Sequence, residues 1–246
     1  MKLLYHVGKY YILLRRTFRK PEKWSIYRKQ FFHEVNSLGI NSMGIVAIIS
    51  VFMGAVITIQ SAFGFTSPWI PLYAIGITTR TSIILEFSPT IISLILAGKV
   101  GSSIASEIGT MRVTEQIDAL EIMGVNSAGY IIMPKILAAV FINPFIVIIS
   151  MFLGMLGGWA FGIMTGVVTS FKYIYGIQYD FHPFDVTYAL IKTVVFAFII
   201  TSVSSYYGYY TSGGALEVGQ SSTRAVVYSS IMILIFNFIL TQMLMA

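Results

Sequence analysis

Between Gly98 and Gly124 the chain places Lys99, Glu107, Arg112, Glu115, Asp118 and Glu121. These are six of the 26 formal charges (16 basic plus 10 acidic) in a 246-residue protein that is 56% hydrophobic and only 11% charged. No nucleophile stands beside a general base in this window, and no histidine joins its carboxylates. The chemistry within reach is therefore ionic recognition rather than bond breaking. Charges are costly in hydrocarbon, so such a cluster sits outside the bilayer or acts within it. A short helix held at the membrane surface between two apolar runs has the shape of a docking device.

The remaining candidates for chemistry are sparse. There is no cysteine, which excludes disulfides, thiol catalysis and Cys-based metal sites, and His6, His33 and His182 are scattered. His182 with Asp180 and Asp185 falls in a polar stretch and forms no nucleophile–base set. Nothing matches G-x-x-x-x-G-K-[ST], so the chain has no phosphate-cradling loop of its own. Glu86 is different, because it lies several residues inside an apolar run where a charge needs a reason. It either lines a path near lipid headgroups or sits hydrated at the outer interface. Pro89 and Lys99 share that run and are the further candidates along such a path.

The elements that position these residues are membrane spans. A mean hydropathy of +0.79 reads as an all-α polytopic membrane protein. Nine of the 16 basic residues precede position 30: Lys2, Lys9, Arg15, Arg16, Arg19, Lys20, Lys23, Arg28 and Lys29. Aromatic and aliphatic residues interleave with them, which suits a helix lying in the headgroup layer over residues 1–35. The positive-inside rule accounts for these charges better than nucleic-acid binding does, and it makes the N-terminus cytoplasmic. The run Tyr5 to Leu14 is short and amphipathic, unlike a cleavable signal peptide.

About five spans follow in residues 36–246. Apolar length predicts them at Ile40 to Phe63, Ser82 to Ser103, within the charge-free stretch Ile136 to Phe171, at Thr187 to Tyr207 and at Ala225 to Met245. Ser67-Pro68-Trp69-Ile70-Pro71 breaks the first from the second. The third stretch is too long for one straight crossing and too short for two comfortable ones; Asn143-Pro144 can kink it. Lys172 to Asp185 and Gly208 to Arg224 read as loops. Two rows of small residues, Ser93, Ala97, Gly101, Ala105, Gly109 and Gly154, Gly158, Gly162, Gly166, fit either packing within the chain or a contact with a second copy.

Met111 to Met123 is predicted to be a helix stopped by Gly124. Val113, Ile117 and Leu120 at i, i+4 and i+7 make one apolar face, and Arg112, Glu115, Asp118 and Glu121 lie largely off it. With Glu107 and Gln116, these residues are the candidate docking set.

The stretch Ala97 to Val125 closely resembles the signature of the MlaE (YrbE-like) permeases of ABC lipid transporters. The resemblance continues through Tyr130 and Pro134-Lys135, Gly208 to Ala215, Val218-Gly219 and Thr223 to Val227, and around Gly54 to Gln60. It implies a single permease domain over 1–246, a homodimer in the bacterial inner membrane, and transport of phospholipid between inner and outer membranes. It also implies a separate ATPase that binds ATP and Mg, a periplasmic MCE-domain protein and often a small STAS-type accessory protein. No cofactor is implied for this chain. In the resemblance the polar island is the coupling helix that meets the ATPase. Two departures stand out. Family members carry an Arg beside the acid of Leu85-Glu86-Phe87-Ser88-Pro89; here Arg80 is six residues earlier and reaches Glu86 only if the backbone bends. Ala215-Leu216-Glu217-Val218-Gly219 shifts the family's acid by one position. A membrane scaffold or passive channel anchoring a periplasmic partner is the alternative function.

Overall fold

The computed structural model describes residues 2–19, 24–65 and 69–245. Every regular element among them is helical: α1 (Lys2–Thr17), α2 (Tyr27–Gly64), α3 (Ala74–Val113), α4 (Gln116–Ile122), α5 (Ser127–Met164), α6 (Ser170–Gln178), α7 (Pro183–Tyr209) and α8 (Ala215–Met245). Five of these, α2, α3, α5, α7 and α8, are long and apolar enough to cross a membrane. The expectation of an all-α polytopic protein is met. Lys20, Lys23 and the Ser67-Pro68 break lie outside the described residues.

The spans are longer than apolar runs alone delimit. Helices α2, α3 and α5 hold 38, 40 and 38 residues, roughly 57–60 Å at 1.5 Å per residue against about 30 Å of hydrocarbon. Their ends therefore stand beyond the apolar layer, where polar residues continue a helix without penalty. The charge-free third stretch is one helix with Pro134 and Pro144 inside it. The helix passes position 35 without a break, through a π-helical stretch at Val35–Ile40. Two further π-helical stretches, Ile83–Ile91 and Ala97–Gly101, interrupt α3 at Glu86 with Pro89 and at Lys99.

Two expected loops are corrected. Within Gly208 to Arg224 the non-helical connection ends at Gly214, because α8 begins at Ala215. The Glu217 carboxylate accepts from the Gly214 N–H at 2.8 Å, the back-reaching half of a capping box. Its displaced acid is thus a helix-starting residue. The serines read as loop-formers bond across helices instead: Ser221 to Thr211 at 2.9 Å, and Ser222 to the Ser102 carbonyl at 3.2 Å. Lys172 to Asp185 likewise contains most of α6, which is tied down by Arg80. The buried Arg80 guanidinium donates to the carbonyls of Ile177, Tyr179 and Asp180 at 2.9, 2.8 and 3.2 Å.

Helix α1 lies across one end of the bundle. His6 meets the Tyr206 hydroxyl and Tyr10 meets Ser202, each at 2.7 Å, and Asn126 donates to the Arg16 carbonyl at 2.7 Å. Its Leu13 and Thr17 are buried, whereas Leu4, Val7, Tyr11, Ile12 and Phe18 form an exposed stripe at helical spacing. The segment 114–126 and the 210–214 turn share this α1 end. The turns at 69–73 and 165–182 lie at the opposite end.

Helices α2 and α5 pack at backbone distance. A Cβ on Gly54 would collide with the carbonyl of Gly154, and one on Gly157 with that of Val51. In the two small-residue rows, Gly101 faces Ser204, Gly109 faces Thr211 and Val218, and Gly158 faces Thr58 and Tyr173. Both rows thus serve packing within the chain. Overpacking a tight contact costs about 1–3 kcal/mol or more, so Gly54→Val is expected to lower the melting temperature in detergent sharply. Gly44→Ala, where a Cβ meets nothing within 4 Å, is expected to shift stability by less than about 1 kcal/mol.

Candidate functional site

The docking candidates gather at the α1 end, on a segment that is kinked rather than a single helix. Helix α3 runs out at Val113, Glu115 takes a left-handed backbone (φ 60°), and α4 starts at Gln116. Gly124, at φ +78°, ends α4 as expected. The break falls at Thr114–Glu115 because the chain must turn the Ile117 side inward. Ile117 is fully buried and joins the main core, with Met111 and Leu120 packed against it. Ile117 and Leu120 of the apolar face therefore seat the segment on its own protein, while Val113 lines the groove beside it. The exposed apolar residues are Ile122 (87%) and Met123 (68%), at the α4 tip.

The charges divide into two kinds. Arg112 pairs with Asp118 at 2.5 Å, closing the kink, and Gln116 donates to the Thr114 hydroxyl at 3.0 Å. Glu121 accepts from the Tyr209 hydroxyl at 2.9 Å and from Ser127 at 3.0 Å, linking α4 to α5 and α7. These bonds, Tyr209 first, hold its carboxyl below the usual carboxylate range. Glu107 turns away from α4 toward Lys135 of α5, at 2.8 Å. Glu115 is exposed. A groove of about 450 Å³ runs between this segment and the 210–214 turn, lined by Lys9, Arg112, Glu115, Asp118 and Tyr210 among others.

The candidates along α3 do not form one cluster. Lys99 is exposed at the second π-helical stretch, where it donates to the Asn41 carbonyl of α2. Pro89 is buried. Glu86 is half-exposed, and its counter-charge comes from a residue that sequence reasoning passed over. Lys192 of α7 lies fully buried with its ammonium 2.9 Å from Glu86 and 4.3 Å from the Tyr188 ring centroid. Thr90 and Asn237 of α8 approach the other carboxylate oxygen at 3.1 and 3.2 Å. Arg80 does not reach Glu86, being engaged with α6. The available signal was Lys192 itself, a lone cation inside an apolar run. The arrangement presents a carboxylate and an amide between α3, α7 and α8, with the buried Thr90 hydroxyl behind them. His182 and Asp180, 3.6 Å apart and both mostly exposed, form a surface pair.

The asymmetry of burial gives a testable order. Glu86→Ala strands a fully buried ammonium, a change that costs about 3–5 kcal/mol when nothing replaces the partner. Lys192→Met removes the enclosed charge and leaves a half-exposed carboxylate with Thr90 and Asn237 still beside it, so it is expected to destabilise less in thermal melts. Glu121 gives a pH test. Its folded pKa lies below the ordinary 4.5, so its contribution is complete above 4.5 and lost as pH falls through the depressed value. The melting-temperature gap between wild type and Glu121→Gln is expected at pH 7 and is expected to close in acid.

Residues 31–243 match the family model described as Permease MlaE. The chain is 38% identical to a "Probable ABC transporter permease protein" of Rickettsia bellii over 99% of its length and 93% of the relative's. It is 33% identical to "Protein TRIGALACTOSYLDIACYLGLYCEROL 1, chloroplastic" of Arabidopsis thaliana, covering 89% of this chain and 63% of the other. It is 29% identical to the "Intermembrane phospholipid transport system permease protein MlaE" of Haemophilus influenzae, covering 86% and 81%. With five spans and this match over nearly its whole length, the chain belongs to the MlaE permease family and is a multi-pass membrane transport permease.

Proposed function

We propose that this permease moves phospholipid between the two membranes of a Gram-negative envelope, driven by a separate ABC ATPase that docks at the α1 end. The observation that carries this reading is the continuity of the kinked segment with the spans. Residues 114–123 join α3 directly and reach α5 through one Gly124 turn, so a push on them moves both helices without slack. Helix α3 carries Glu86, which is half-exposed beside Asn237, with Thr90 buried behind it. The names of the Haemophilus and Arabidopsis relatives point to lipid cargo, and that of the Rickettsia relative to an ABC transporter.

The mechanism follows from placement. The ATPase binds ATP and Mg; its closure presses on Ile122, Met123 and the polar groove beside them. Arg112–Asp118 keeps the kink rigid, and Glu121 transfers the load to α5 and α7. The lipid site lies between two copies of the chain, consistent with α8, whose apolar window is only 11% buried within one copy. Glu86 and Asn237 sit at its wall, where polar groups suit a headgroup. The basic α1, with exposed Arg15, Arg16 and Arg19, rests in the cytoplasmic leaflet, which orients the α1 end inward. The periplasmic MCE-domain partner, and a STAS-type protein where present, complete the complex.

The test is co-purification with the ATPase followed by mass spectrometry of bound lipid and transport between vesicles. Ile122→Asp with Met123→Asp is expected to reduce ATPase recruitment at least about tenfold, the scale of a lost buried apolar contact, while leaving the protein's own melting temperature unchanged. Wild-type protein that binds no ATPase, or that carries no phospholipid, overturns the reading in favour of a scaffold.

A further inference from the structure

Lys135 is the most enclosed cation at the α1 end. Its side chain is 2% exposed, yet two carboxylates meet its ammonium: Glu34 of α2 at 2.6 Å and Glu107 of α3 at 2.8 Å. Among the described residues this is the one ionic cluster that joins three helices. The acids are unequal, Glu34 being 12% exposed and Glu107 52%. Glu34 immediately precedes the π-helical stretch of α2, and Glu107 lies on the last turns of α3 before the Glu115 break.

The surroundings make this ionic link specific. The final part of α3, Ser102–Val113, packs on α7 and α8. The first part of α2 packs instead on α5, with Phe31 against Phe141 (5.8 Å between ring centroids), Tyr27 near Tyr130 (6.4 Å), and Gly39 against Ile142. Helix α5 also packs on α7, and the Glu107–Lys135–Glu34 cluster adds a direct ionic link from the end of α3 to α2 and α5. Separating Glu107 from Lys135 takes one of two counter-charges from an enclosed ammonium, so the link resists separation.

Building on the permease reading, we propose that Lys135 is a positioning residue for energy coupling. By holding the docking end of α3 to α2 and α5, it makes a displacement of residues 114–123 move the first span together with the second. Without it, the end of α3 is joined to α2 only indirectly, through the Gly124 turn and the packing of α5 on α2.

The test uses the complete transporter, permease with its ATPase and periplasmic partner, in vesicles, reading ATP hydrolysis and lipid transport separately. Lys135→Met is expected to keep ATPase recruitment and to lower lipid moved per ATP about tenfold, within the range of a single coupling contact. Lys135→Arg, which keeps a cation between the carboxylates, is expected to restore most of the loss. Glu107→Gln, which releases the end of α3 from the cluster, is expected to cost more coupling than Glu34→Gln, which leaves α3 held to α5. If Lys135→Met does not fold, Lys135→Met with Glu34→Gln removes both enclosed charges and is read in the same way. Unchanged lipid moved per ATP in the folded variant overturns the proposal, as does a parallel fall in hydrolysis and transport. A wild-type chain that recruits no ATPase sinks the permease reading itself, an outcome distinct from either.

Discussion

Lipid is as apolar as the interior of this bundle, so burying hydrocarbon side chains supplies little net attraction between the spans. What holds them is close backbone approach and a few polar links. Helices α2 and α5 meet where Gly54 lies on Gly154 and Gly157 on Val51. Buried hydroxyls add to this, with Ser50 bonded to Ser150 at 2.8 Å and Ser88 3.1 Å from the same oxygen. The placement of the buried charges depends on this frame, because a charge survives inside it only beside an opposite charge or several carbonyls from another element.

That constraint explains the distribution of cations. Lys192 is matched by Glu86, Lys135 by Glu34 and Glu107, and buried Arg80 by three carbonyls at the end of α6. Each pairing joins elements distant in sequence, and each stands near a change of helix geometry. Glu86 lies in a π-helical stretch, Glu34 immediately precedes one, and Arg80 holds the chain at Asp180, whose backbone is left-handed (φ 52°). Ion pairs and irregular backbone together mark where helices are fixed to one another and where motion can be passed on.

Much of the architecture was legible from hydropathy. The five crossings, the amphipathic α1 and the Gly124 stop follow from apolar length, interleaved basic residues and the left-handed tolerance of glycine. Boundaries were less legible. Beyond the hydrocarbon a helix continues through Ser, Thr and Gly if its ends are capped, so the start of α8 read as loop until the Glu217 cap and the Ser221 and Ser222 bonds accounted for it. The candidate docking segment stands out by its charges. Its direction is not legible there, because an apolar stripe has the same spacing whether it faces a partner or the protein's own core.

The residues alone determined the class of protein, the number of spans and the window in which the charges between the spans gather. These rest on local quantities: hydropathy over a helix length, charge density and the spacing of polar groups. The tertiary structure decided the partners. It gave Glu86 to Lys192 rather than Arg80, turned Glu107 toward Lys135, sent Ile117 inward and left Ile122 and Met123 outside. A charge shows in a sequence that it needs a counter-charge. Which one it finds depends on how helices far apart in the chain are rotated against each other, and that is set by packing.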